Sequence, residues 1–187
     1  DPTRTVETEA LTTKVNAWET LTFDFANQVA GTAALNLTYD YNRLSIFFDF
    51  GKTGAAGGAG TFYFDDIKFV AGGGAGSGST GTCTGAACVD FSEPGIGFGP
   101  FENQGGGTVE IVNDPNEAAN KVVKFVKKPG DGEYFGTTIT GLGGSVVLTA
   151  TAKTVTMRVY SPAVGTNFLL KFEGGTGGPA TTEKDAA

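Results

Sequence analysis

Apolar and polar residues alternate with a period of two along most of this 187-residue chain, and helical spacing with its caps is almost absent. Side chains of a strand point alternately to opposite faces, so this pattern suits half-buried strands. "TLTFDF" (20–25) sets Leu21, Phe23 and Phe25 against Thr22 and Asp24, and "RLSIFFDF" (43–50) and "TFYFDDIKF" (61–69) follow it. Between the last two lies "GKTGAAGGAG", too rich in glycine to hold helix or strand well. Further on, "TVEIVND", "NKVVKFVKK", "VVLTATA", "TVTMRVY" and "NFLLKFEGG" are strand candidates, separated by turn signals such as "PGDGE", "GLGG" and "SPAVG". Many short strands punctuated by Gly and Pro predict an all-β fold, an antiparallel β-sandwich. Its expected core lies in 20–25, 43–50 and 155–160.

The strand pattern is interrupted once. After Val70 the composition changes to "AGGGAGSGSTGT", which by composition is a flexible Gly/Ser linker. The chain therefore divides into residues 1–70, a linker at 71–87, and residues 88–187. Neither flank looks closed by itself, because a small open sheet leaves edge groups and one apolar face uncovered.

Composition removes several functions. The hydrophobic share of 40%, with 15 Phe, is ample for a packed interior. A formal charge of -7 argues against nucleic acid, whose binding depends on Lys and Arg displacing counterions. The chain has no histidine, which removes the usual imidazole base, the Ser-His-Asp arrangement and every His-ligated metal. No apolar run reaches the roughly 20 residues of a spanning helix, so no membrane span is expected. The start at Asp1, without methionine or signal peptide, reads as a mature product or a fragment. The two cysteines, in "CTGAAC", are close enough for a local Cys83–Cys88 disulfide; free thiols or a lone metal pair are the alternatives. "GIGFG" lacks a following helix and the phosphate-loop Lys-Ser/Thr, no opposed pair of carboxyls marks a glycosidase, and "NLT" (36–38) is a glycosylation sequon by letter only.

"NAWETLTFDF", "LSIFFDFG" and "TFYFDDIKF" resemble the C-terminal half of a bacterial carbohydrate-binding module of the β-sandwich, jelly-roll type, with "YFDDIKF" as the signature of its last strand. "VDFSEPGIGFGPFENQGG", "NDPNEAANKVVKFVKKPGDGEYFGTTI" and "VTMRVYSPAVGTNFLLKFEGG" resemble the beginning and middle of the same module. The resemblance covers nearly the whole chain with the two halves in swapped order. "TRTVETEAL" (3–11) and "ATTEKDAA" (180–187) are also similar, so one strand position occurs twice. Three arrangements follow: a repeat of a tandem array whose ends fall inside a domain, separate subunits that complete one another head to tail, or one permuted domain closed within a single chain.

Asp65 and Asp66 carry the first candidate site. Alternation places Asp65 on one face with Ile67 and Phe69, where a carboxylate is costly unless something pairs it. The resemblance implies a structural calcium near this strand, with Asp65, Glu93 and Asp90 as ligands, although Ser92 displaces the acid from the position directly after Phe91. Sugar binding needs flat aromatic faces and polar partners for hydroxyls. Tyr134 and Phe135 resemble a position where related modules hold Trp; Tyr39 and Tyr41, flanking Asp40, form a second candidate platform; Trp18 and Tyr160 are further surfaces.

The function expected from these features is that of a non-catalytic, secreted, extracellular repeat unit. It would build a filament or tandem array by completing half-domains of neighbouring copies. The alternative is a glycan-binding module that tethers a secreted glycoside hydrolase to polysaccharide.

Overall fold

The computed structural model describes residues 4–70, 88–91, 96–142 and 145–174. Among them the strands are β1 (Thr5–Leu11), β2 (Trp18–Asp24), β3 (Asp40–Tyr41), β4 (Arg43–Phe48), β5 (Gly60–Val70), β6 (Cys88–Val89), β7 (Gly97–Phe101), β8 (Thr108–Asn113), β9 (Lys121–Lys127), β10 (Gly136–Thr140), β11 (Val146–Val147), β12 (Thr154–Tyr160) and β13 (Asn167–Glu173). The 3-10 turn Gly54–Ala56 is capped by the Thr53 side chain, which accepts from the Ala56 amide. The fold is all-β and antiparallel, as the alternation predicts.

Two sheets face each other. One runs β1-β13-β4-β10-β7; the other runs β2-β12-β5-β9-β8, with β6 against the far end of β5; β3 and β11 form a small separate pair. Phe23, Phe48, Phe64, Phe125, Phe168 and Phe172 are wholly buried between the sheets, together with Leu21, Leu44, Ile46, Val155, Met157 and Val159 from the three segments expected to form the core. Phe48 is central. Its ring stacks on Phe125 at 3.8 Å and meets Phe168, Phe64 and Phe62 within 5.7 Å.

The pairing of the strands has a one-sided rule. Among the described residues, no strand of 4–70 pairs in a backbone ladder with another strand of 4–70. β1 pairs with β13, β2 with β12, β3 with β11, β4 with β13 and β10, and β5 with β12, β9 and β6. Residues 88–174, by contrast, also pair internally, through β7–β10 and β8–β9. The two segments interleave in one sandwich, so the division seen in composition is not a division into separate cores.

Two local readings are corrected, and two strands are added to those the alternation marks. "VVLTATA" forms a strand only at Val146–Val147, because Thr149 closes a turn: its hydroxyl and carbonyl both accept from the Ala152 amide. "GTTIT" and "GFGPF" are strands β10 and β7, though their glycines break the alternating pattern. Asp65 does not share a face with Ile67 and Phe69. A bulge opposite β12, with Asp66 at φ 49°, takes up one residue, so Asp65 turns away from the core with Tyr63 and pairs with Arg158.

One end of the sandwich is tied by Asp131. Its carboxylate accepts from the amides of Gly105 (2.8 Å), Gly107 (3.3 Å) and Lys128 (2.7 Å), and its carbonyl accepts from the Gly54 amide. A Cβ on Gly54 would come within 1.9 Å of the Lys128 carbonyl, so only glycine permits this approach of loop to loop. Beneath it Lys127 is buried, its ammonium donating to the Phe48 carbonyl at 3.0 Å, and burial holds this amine below the usual lysine range.

Phe48→Ala removes the ring on which the two sheets meet. Urea denaturation is expected to give a loss of about 3–5 kcal/mol, as for other buried Phe truncations; a loss below about 1 kcal/mol would show that the core does not centre there.

Candidate functional site

The segment "SIFF" holds two adjacent Phe residues, and a strand cannot turn both to the same face. Phe48 goes to the core. Phe47 goes to the outer face of the five-stranded sheet, where it is nonetheless only 2% exposed and lies outside the central cluster. Other rings cover it: Phe50 at 5.4 Å and Phe101 at 5.2 Å, both edge-on, with Tyr134 edge-on to Phe50 at 5.8 Å. Gly136 makes this possible, since a Cβ there would lie 2.6 Å from the Phe101 ring. Tyr134 is the outermost member, 43% exposed. The loops that carry Phe50 and Tyr134 belong to the end tied by Asp131, so the platform is held by a buried carboxylate.

Next to the rings the same face carries a polar row. Strand register aligns Thr138, Ser45, Lys171 and Glu7 across β10, β4, β13 and β1. Ser45 donates to Glu173 at 2.9 Å and lies 3.3 Å from the Thr138 hydroxyl; Lys171 stands 3.2 Å from Glu173 and 3.7 Å from Glu7. Gly99 continues the row on β7, opposite Thr138, and a Cβ there would meet nothing within 4 Å. The face thus combines an aromatic end, a row of carboxylate, ammonium and hydroxyl groups, and open space over a glycine.

The predicted sugar-binding residues separate. Tyr134 belongs to this face. Phe135, its neighbour, is corrected to a core residue: it is fully buried with its ring 4.4 Å from Phe125. Tyr41 is likewise turned into the core against Phe172, its hydroxyl lacking a hydrogen-bond partner and its pKa raised, chiefly by burial. Tyr39 is partly buried, with the Arg4 guanidinium 5.2 Å above its ring, so Tyr39 and Tyr41 make no shared platform. Trp18 packs on the outer face of the other sheet, edge-on to Tyr160, which is in turn edge-on to Tyr63.

Trp18 is also part of a charged network. The Arg158 guanidinium lies 4.1 Å from its ring centroid, and its indole donates to Asp114 at 3.0 Å. Arg158 is 3.1 Å from Asp114 and 3.7 Å from Asp65. Burial raises the pKa of Asp114, but hydrogen bonds from the Asn116 amide and Trp18 and the charge of Arg158 outweigh it, holding the group below the usual carboxylate range. Asp65 is less well served. Asn120 donates to Oδ2 at 2.8 Å, Oδ1 is buried without a partner, and burial pushes the carboxyl up to about 7.

Of the predicted calcium ligands, Asp65 has this orphaned oxygen, and Asp90 is brought alongside the same stretch of β5 by the Ile67↔Val89 pairing. Glu93 lies outside the described residues. Among the described residues no three Asp, Glu or Cys side chains converge as a metal cluster. Cys88 opens β6 and is not a free thiol; Cys83 lies outside the described residues. No described helix is long and apolar enough to cross a membrane.

Neither Phe47, Phe50 and Phe101 nor the polar row was among the residues that the sequence suggested. The Phe47–Phe48 doublet was the available signal, since one ring of such a pair must leave the core. Compared with protein-family models, curated proteins and solved structures, the chain finds no match.

Asp65 sets a pH dependence. Its folded pKa of about 7 lies above the ordinary 3.8, so the native state holds a proton that the unfolded chain has released. Stability therefore falls as pH rises from about 4 to about 7 and levels off above. The fall is about 4 kcal/mol, the free energy of a proton bound on the order of a thousand times more tightly in the folded chain. Asp65→Asn is expected to flatten that fall in urea titrations across this range; an unchanged slope would assign it to other groups.

Proposed function

We propose that the chain is a non-catalytic, secreted β-sandwich module that binds polysaccharide on the outer face of its five-stranded sheet. The observation that carries this reading is the union, on one face, of the Tyr134–Phe50–Phe47–Phe101 rings with the Thr138–Ser45–Glu173–Lys171–Glu7 row. Pyranose C–H faces stack on aromatic rings, while sugar hydroxyls both donate and accept, which a row of carboxylates, hydroxyls and an ammonium answers. The resemblance to carbohydrate-binding modules points the same way, as does closure of the sandwich within one chain, which leaves the Tyr134 ring exposed at the edge of this face. Tethering of a glycoside hydrolase is the role such a module would serve.

Affinity electrophoresis through gels containing single soluble polysaccharides tests this. At least one is expected to retard the protein. Tyr134→Ala should weaken that retardation about tenfold, in line with ~1–1.5 kcal/mol for a lost ring contact, and Trp18→Ala, on the opposite sheet, should leave it unchanged. Retardation by none of a broad panel, or equal loss in both variants, would sink the proposal.

The reading includes a structural calcium, supported by the orphaned Asp65 oxygen. Asp65 and Asp90 would hold it, with Glu93 by resemblance, and the ion would offset the cost of a buried carboxylate. Calcium at about pH 7.5, where the Asp65 carboxyl has largely released its proton, is expected to raise the thermal midpoint. EDTA should reverse the rise, and Asp65→Asn should abolish it. Identical melting curves with and without calcium would remove the ion from the account.

A further inference from the structure

The ladders of residues 4–70 are all made with residues 88–174, and none within residues 4–70 themselves. A segment of that kind has no sheet of its own to fold into. It must be completed by a copy of 88–174, and nothing in the ladders requires that copy to lie on the same chain. We propose that this protein associates with a second copy of itself by exchanging these halves, residues 4–70 of one chain taking their places between the strands of 88–174 of the other.

The partner is fixed by the geometry. β4 enters between β13 and β10, and β5 between β12 and the β9 and β6 strands. The seats are lined by Phe168, Phe172, Ile139, Val123 and Phe125, buried side chains that would all be bared if the first half withdrew. Only a segment with the alternation, register and Phe positions of 4–70 refills them, and a second copy of the chain supplies it.

The contacts in a closed monomer and in an exchanged pair are the same, so their balance rests on the tether. The covalent path between the halves is residues 71–87, seventeen residues that fully extended span at most about 60 Å. A tether of this length gives an effective concentration on the order of a millimolar, so exchange competes when the chain approaches that concentration. Reciprocal exchange between two copies closes as a dimer; exchange passed on from copy to copy propagates as a filament. Both use the same ladders. This inference does not depend on polysaccharide binding, since the seats lie between the sheets and the proposed ligand face lies outside them.

The unmodified full chain supplies the test, because Met157 is its only methionine. Met157 is buried and stands in register with Leu21 across the β2–β12 ladder, one residue from each half. A perdeuterated chain carrying a protonated, 13C-labelled Met methyl is mixed with an equal amount of unlabelled chain in denaturant and refolded together at about 1 mM, near the effective concentration of the tether. Species of twice the chain mass or more are then separated. Exchange predicts such species, in a share that rises with concentration, and in them cross-peaks from the Met157 methyl to Leu21 protons of the unlabelled chain. A single mass at all concentrations would overturn the proposal. So would a dimer without those cross-peaks, which would be an association through some other surface. Polysaccharide retardation measured on the monomer alone reports on the ligand face separately, so either proposal can fail without the other.

Discussion

The segregation of the strand ladders is the constraint on which the rest of this structure depends. β4 and β5, the two strands of the first segment with a strand on either side, each lie between strands of the second. Main-chain amides and carbonyls buried between strands must be paired, so half of the chain reaches its lowest energy only by using the donors and acceptors of the other half. The side chains reinforce this. Phe48 from β4 stacks on Phe125 from β9, and Phe25 lies 4.9 Å from Phe172, so these two aromatic contacts cross the same seam as the strand ladders.

On the outer surfaces the two sheets solve different problems. The five-stranded sheet assembles rings and ionic groups side by side, with loops at one end locked by Asp131. The other sheet sacrifices openness for a buried charge network, in which Asp114 draws Arg158 and Trp18 together and leaves Asp65 short of partners. An unpaired carboxylate oxygen in such a place costs more than a surface one, and the neutral acid is the form that the burial favours. The network owes its place to the turn between β8 and β9, which brings Asp114 to Trp18 and Asn120 to Asp65.

Much of the architecture was legible in the residues. The alternation of "TLTFDF", "TVTMRVY" and "NFLLKFEGG" located β2, β12 and β13, and the apolar positions of 20–25, 43–50 and 155–160 named much of the core, because period two leaves no ambiguity when one face is uniformly apolar. Pairs of adjacent aromatics were harder. In Phe47–Phe48 the alternation parts the two rings, yet which one turns inward depends on the opposing sheet; Tyr134 and Phe135 lie in the turn before β10, where alternation does not say which ring is buried. Asp65 departs from its expected face for a related reason: the bulge at Asp66 arises opposite Met157, and no local feature of "YFDDIKF" announces an extra residue. The polar row was beyond reach, since Glu7, Ser45, Thr138 and Lys171 come from four strands and become neighbours only through register.

Lys127 gives the sandwich end a property that its packing alone would not. The ammonium is held against the Phe48 carbonyl under the loops that Asp131 binds together, out of water and with its basicity reduced by burial. An amine reagent reaches it only when those loops part. Its rate of acylation, compared with that of a lysine at the surface, is therefore a clock for the opening of that end, read by mass on a single side chain and without any label added to the protein.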